Sequence, residues 1–124
     1  MITTEAKIQT FEEVFTKLKG MLHLSDEVMI RLNNKFFESV SLTLTQLNEA
    51  VATTDYETIE MLAHSIKGSA GSLCYAEISD ITETLEKHAH AKEDYAYQER
   101  YDELLEEFKR VQECYSLWKE KKGF

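Results

Sequence analysis

The stretch YQERYDELLEEFKRVQECYSLW, residues 97–118, carries apolar side chains at Tyr97, Tyr101, Leu104, Phe108, Val111, Tyr115 and Trp118. The intervals alternate between four and three without a break, which on a helix of about 3.6 residues per turn places all of these positions on one stripe. A stripe of this length predicts a long helix that must bury its apolar side against other elements. Reading outward, the same spacing recurs four more times. Met29, Leu32, Phe36, Val40, Leu44, Leu47 and Val51 follow Ser25-Asp26, where either side chain can cap the first free amides. Ile59, Leu62, Ile66 and Leu73, with Ala63 and Ala70 filling closer contacts, follow Thr53 and Thr54, which can cap a third helix. Ile78, Ile81 and Leu85 define a shorter helix, and Ile8, Phe11, Phe15, Leu18 and Leu22 one at the N-terminus. The predicted class is all-α. Four helices over about 26–121 form an antiparallel bundle, and an additional N-terminal helix over about 4–22 covers one end.

Composition agrees with this reading. The chain has 124 residues, no proline and only four glycines, so most turn formers are missing and good helix formers dominate. That length supplies one hydrophobic core, and residues 1–124 read as a single domain without a linker, repeat or low-complexity tract. A formal net charge of −9 disfavours nucleic acid and anionic membrane surfaces, both of which reward clustered Lys and Arg. No apolar run approaches the ~18 residues of a membrane span, and the N-terminus has no signal-peptide pattern. Cys74 and Cys114 are too few for a disulfide scaffold and lack structural-zinc spacing, which fits reduced thiols in a cytoplasmic protein.

The third predicted helix carries the chemistry. Rotation by about 100° per residue turns His64 roughly 140° away from the inward arc of Ile59, Leu62, Ile66 and Leu73. Glu60, Met61, Lys67, Gly68 and Gly71 share its outward stripe. Two glycines inside a helix cost about 1 kcal/mol each relative to alanine, and both stand beside this histidine. They suggest close backbone approach by something else. An exposed imidazole, with an ordinary pKa of about 6.5, is largely neutral near pH 7 and able to accept a phosphoryl group. Lys67 can offer positive charge to phosphoryl oxygens, whose transfer depends mainly on positioning and charge stabilisation.

At Ala63-His64-Ser65-Ile66-Lys67-Gly68-Ser69-Ala70-Gly71-Ser72-Leu73 the sequence resembles the histidine-containing phosphotransfer (HPt) family of bacterial type, in which an Ala-His pair precedes a Lys-Gly-Ser-Ala run. The resemblance extends more loosely from Asp26 to the C-terminus. It implies a four-helix bundle in which His64 is phosphorylated on Nε2, Lys67 is the phosphoryl-side cation, and Gly68 gives clearance to a receiver domain. Glu60, Met61 and Gly71 would join the partner surface. The implied function is that of a carrier in a two-component multistep phosphorelay, taking a phosphoryl group from one receiver aspartate and passing it to another. The implied partners are receiver domains of response regulators or hybrid histidine kinases, and Mg²⁺ would belong to the receiver. The chain itself would be a monomer without a cofactor, and no glycine-rich phosphate loop suggests a kinase. Cys74 departs from the pattern, standing where the family usually has glycine.

Other readings compete. A non-catalytic helical docking module would need only the surface around His64. Glu57, Glu60 and His64 could suggest a metal site, but the stripe points outward and lacks a Glu-x-x-His pair. His88 and His90 do not share a helical face and read as a solvated helix end, and His23 carries no signal. Both cysteines read as small core or boundary residues, Phe37 as ordinary packing, and Glu106 and Glu107 as a solvated face.

Overall fold

A computed structural model describes residues 2–124 of the chain. It contains α1 (Thr4–Leu22), α2 (Asp26–Ala52), α3 (Tyr56–Ser72), α4 (Ala76–His90) and α5 (Tyr97–Lys122), with no strand among the described residues. The helix starts follow local chemistry. Thr3 accepts from the amide of Ala6, Ser25 from that of Val28 and Asp55 from that of Thr58, each side chain satisfying an amide left free by the first turn. Asp55, and neither Thr53 nor Thr54, therefore caps α3. Thr53 instead closes α2, donating its hydroxyl to the carbonyl of Glu49, while Thr54 takes a positive φ of 50° in the turn. The last turn of α5 carries Lys119, Lys121 and Lys122 at its electronegative end, and Gly123 leaves it at φ 80°.

Helices α2 to α5 run alternately up and down. Across α2 and α5, the Tyr115 hydroxyl donates to the carbonyl of Ile30 and the Tyr101 hydroxyl to that of Leu44, so the two helices are antiparallel. Arg110 reaches Glu77 at 3.2 Å between α5 and α4. The most extensive helix pairing is that of α3 with α4. Helix α1 lies alongside the C-terminal half of α5. Its Phe11 and Phe15 pack on Tyr115 and Trp118, and Lys7 pairs with Glu113 at 2.9 Å.

Every member of the Tyr97-to-Trp118 stripe is buried, as are Ala63 and Ala70 on α3 and Phe37 on α2. Four expected core positions are not. Leu32 is exposed, and Leu62 and Ile81 only half-buried, because each lies at the edge of its stripe, and Leu22 is exposed as the last residue of α1. Glu107 also differs from expectation: its carboxylate is largely covered and held 2.5 Å from Arg110, while Glu106 remains exposed.

The turn from α3 to α4 is built for a tight reversal. The amides of Cys74 and Tyr75 donate to the carbonyls of Gly71 and Ala70, and Cys74 adopts φ 64°. This pattern usually places glycine at the left-handed position, because a Cβ there costs about 1 kcal/mol or more. Cys74 thus keeps the exit geometry at the cost of backbone strain. Its neighbour Tyr75 turns into the core and donates its hydroxyl to Asn33 Oδ1, and the Asn33 amide donates to the carbonyl of Met29. Cys74 and buried Cys114 line one small cavity between α1, α4 and α5. Among the described residues no helix is long and apolar enough to cross a membrane.

Candidate functional site

The inward residues Ile59, Ala63, Ile66 and Ala70 anchor α3 to the core and fix the rotation of its outer face. That rotation leaves the His64 side chain 69% exposed. One turn further, Lys67 has a partly covered stem and sends its ammonium over the surface of α4. Both groups meet Glu86. His64 Nδ1 lies 2.9 Å from Glu86 Oε1, and Lys67 Nζ lies 2.9 Å from Glu86 Oε2. The lysine contact is a close ion pair with the buried Oε2 of the carboxylate.

The electrostatics follow from this arrangement. Burial pushes the Glu86 carboxyl upward, but the contacts with Lys67 and His64 outweigh it and hold the group below its usual value. The Lys67 ammonium is raised by its contact with Glu86 and, more weakly, by the charge of Glu83. At neutral pH Lys67 is therefore a cation and Glu86 an anion.

A Cβ built at Gly68 would meet nothing within 4 Å, and one at Gly71 would meet only Ser79 Oγ at an ordinary 3.8 Å. Neither glycine is required by close packing within the chain. Met61 is 62% exposed on the same face. Glu60 points across to α4, where its Oε2 lies 2.5 Å from His90 Nδ1.

The last contact reveals a repeated geometry. Glu60 and His64 are one turn apart on α3, Glu86 and His90 one turn apart on α4, and each carboxylate meets the histidine of the other helix. The antiparallel hairpin produces the match, because His64 and Glu86 stand equally far before and after Tyr75, as do Glu60 and His90. The surroundings are unequal. His64 has Lys67 and Gly68 on its next turn, whereas α4 ends at His90 and runs into Ala91-Lys92-Glu93-Asp94. His88 is not simply solvated: its ring stacks on Tyr95 at 3.8 Å and its Nδ1 lies 2.8 Å from Glu93.

Glu86 is the site residue that pattern reading along α3 misses. Its only sequence signal is the mirrored spacing about the α3–α4 turn, which becomes usable once the hairpin is known. The donors Glu60 and His64 engage separate partners, and no group of three or more metal-type side chains converges among the described residues.

Comparison with known families gives a match to the Hpt domain over residues 31–114, more than half of the chain, spanning α3, α4 and most of α2 and α5. No curated protein and no solved structure matches the chain significantly.

Proposed function

The chain belongs to the Hpt domain family, whose members are phosphocarrier modules of two-component phosphorelays and not kinases, and on that premise we propose that His64 is its phosphoacceptor. The observation that carries this reading is an exposed imidazole within the matched region, with a cation one turn away and open space over Gly68. His64 Nε2 attacks the phosphorus of a receiver's aspartyl phosphate in line with the bond to the aspartate oxygen. The N–P bond forms as the O–P bond breaks, and the aspartate leaves with the electron pair as a carboxylate. The same steps in reverse load a second receiver.

The chain's own contribution is positioning and charge. Helix α3 fixes the direction of the imidazole, Gly68 lets the rim of the receiver pocket approach, and Lys67 supplies positive charge to the phosphoryl oxygens. Glu60, Met61 and Gly71 extend the surface on which the receiver rests. In this reading Mg²⁺ belongs to the receiver, where it would supply further positive charge to the phosphoryl group. The whole chain acts as one monomeric, cytoplasmic domain with receiver domains of response regulators or hybrid kinases as its partners. It does not act on nucleic acid or membranes.

The test is transfer from a panel of phosphorylated receiver domains to the chain, with Mg²⁺ and without ATP, followed by label. Acid-labile, base-stable label on the wild type and none on His64→Gln is the expected result. A complete panel that transfers nothing would overturn the carrier reading and leave docking as the better account.

A further inference from the structure

Helix α1 leaves a gap that the other helices do not close. Among the described residues, α1 and α4 both pack on α5 and not on one another. Several side chains that line the space between them are short: Val14 on α1, Ala76 at the start of α4, and Val111 and Cys114 on α5. They do not fill it, and a cavity of about 160 Å³ remains, walled by Phe11 on the α1 side and by Tyr75 and Ile78 on the other. None of the lining residues belongs to α3, which carries His64. An apolar cavity of about 150 Å³ admits benzene, so this space has the size of a single aromatic ring.

The border of the cavity restricts what kind of ring it takes. Between α4 and α5 it is edged by Glu77, Glu107 and Arg110. Arg110 donates to both oxygens of Glu107 and lies 3.2 Å from Glu77, so its charge is already balanced. With both carboxyls ionised the three groups carry an excess negative charge, and an anionic ligand would meet no free cation there. A cationic one would lose its hydration against an otherwise apolar lining. A carboxylate has about four lone-pair sites, so Glu107 can accept one more hydrogen bond beside those from Arg110. The rings of Phe11 and Tyr75 favour an aromatic guest, and the thiols of Cys74 and Cys114 add polarizable contacts. We propose that this cavity binds a small neutral aromatic molecule carrying one O–H or N–H group, with its ring among the apolar walls and its polar hydrogen directed at Glu107.

The full chain, labelled at its isoleucine and valine methyl groups, is titrated with phenol and followed by NMR. Phenol should shift the methyl signals of Val14, Ile78 and Val111 in a saturable way, with a dissociation constant on the order of 1 mM. Benzoate, which has the same ring but a negative charge, should bind on the order of tenfold more weakly, and cyclohexanol should also bind more weakly than phenol. Saturating phenol should slow the alkylation of Cys74 by N-ethylmaleimide. Cys114→Leu fills the cavity from α5 and should abolish the shifts; Val14→Phe closes the same space from a half-buried position on α1 and replaces it if Cys114→Leu does not fold. No saturable shift at the highest phenol concentration that leaves the fold intact would overturn the site, as would shifts that persist in the filled variant. Equal binding of benzoate or cyclohexanol would overturn the ligand class. The readout needs neither a receiver nor phosphorylation, so its outcome does not depend on the carrier reading.

Discussion

Replacing Gly68 with alanine should make the chain more stable and a poorer phosphoryl carrier. The position is helical, not left-handed, and a Cβ there would meet no atom within 4 Å. The substitution therefore adds no clash and removes the excess backbone freedom of glycine from the unfolded chain, a gain of about 1 kcal/mol. For a domain of this size that raises the midpoint of thermal unfolding by roughly 3–5 °C. The same methyl group stands one turn from the His64 imidazole, on the face offered to the receiver. A displacement of about 1 Å from the reacting geometry can cost on the order of 100-fold in rate. Transfer should fall measurably in Gly68→Ala and further in Gly68→Leu. Thermal and urea unfolding give the first quantity, and single-turnover transfer from a phosphorylated receiver the second. Gly20→Ala on α1 is the control, because its Cβ would likewise meet nothing within 4 Å and the position lies outside the α3 face offered to the receiver. Loss of stability in Gly68→Ala would show that the glycine serves the chain's own fold. A gain in stability with unchanged transfer would refute the clearance reasoning.

Three further outcomes follow from contacts elsewhere. Tyr75→Phe leaves buried Asn33 Oδ1 without its donor and should cost about 1–3 kcal/mol in urea unfolding; an unchanged midpoint would mean that the amide finds another partner. Cys74→Gly should raise stability by up to about 1 kcal/mol by relieving the φ of 64°. A loss there would show that the packing of the Cys74 side chain against the core outweighs the backbone strain. His90→Gln should leave transfer from a receiver nearly unchanged, and wild-type protein should carry a single phosphoryl group by intact mass. His90 repeats the histidine–carboxylate contact of His64 but has no Lys67 or Gly68 equivalent on a following turn. Label mapped to His90 would show that the contact alone directs phosphorylation.

The local pattern along the chain was enough to determine the helices and the outward stripe of α3, because the 3.6-residue period is a property of the backbone. It placed His64, Lys67, Gly68, Met61 and Glu60 on a common face without knowledge of any neighbour. The Tyr97-to-Trp118 stripe was equally legible, since seven regularly spaced apolar side chains leave a soluble helix one way to turn. Stripe margins were less legible: Leu32 and Leu62 fit the period, but their burial depends on how closely two helix axes approach. Cys74 stands at a position usually given to glycine, and only the closed α3–α4 turn revealed that it adopts the glycine conformation. The largest addition was Glu86. Nothing along α3 points to it, because an antiparallel hairpin brings together residues far apart in sequence according to where its turn falls and how its helices rotate. Core packing of Ile59, Ile66, Ile78 and Leu85 fixes that rotation. The sequence alone therefore determined which histidine faces outward, and only the packing of α3 on α4 decided which carboxylate holds it.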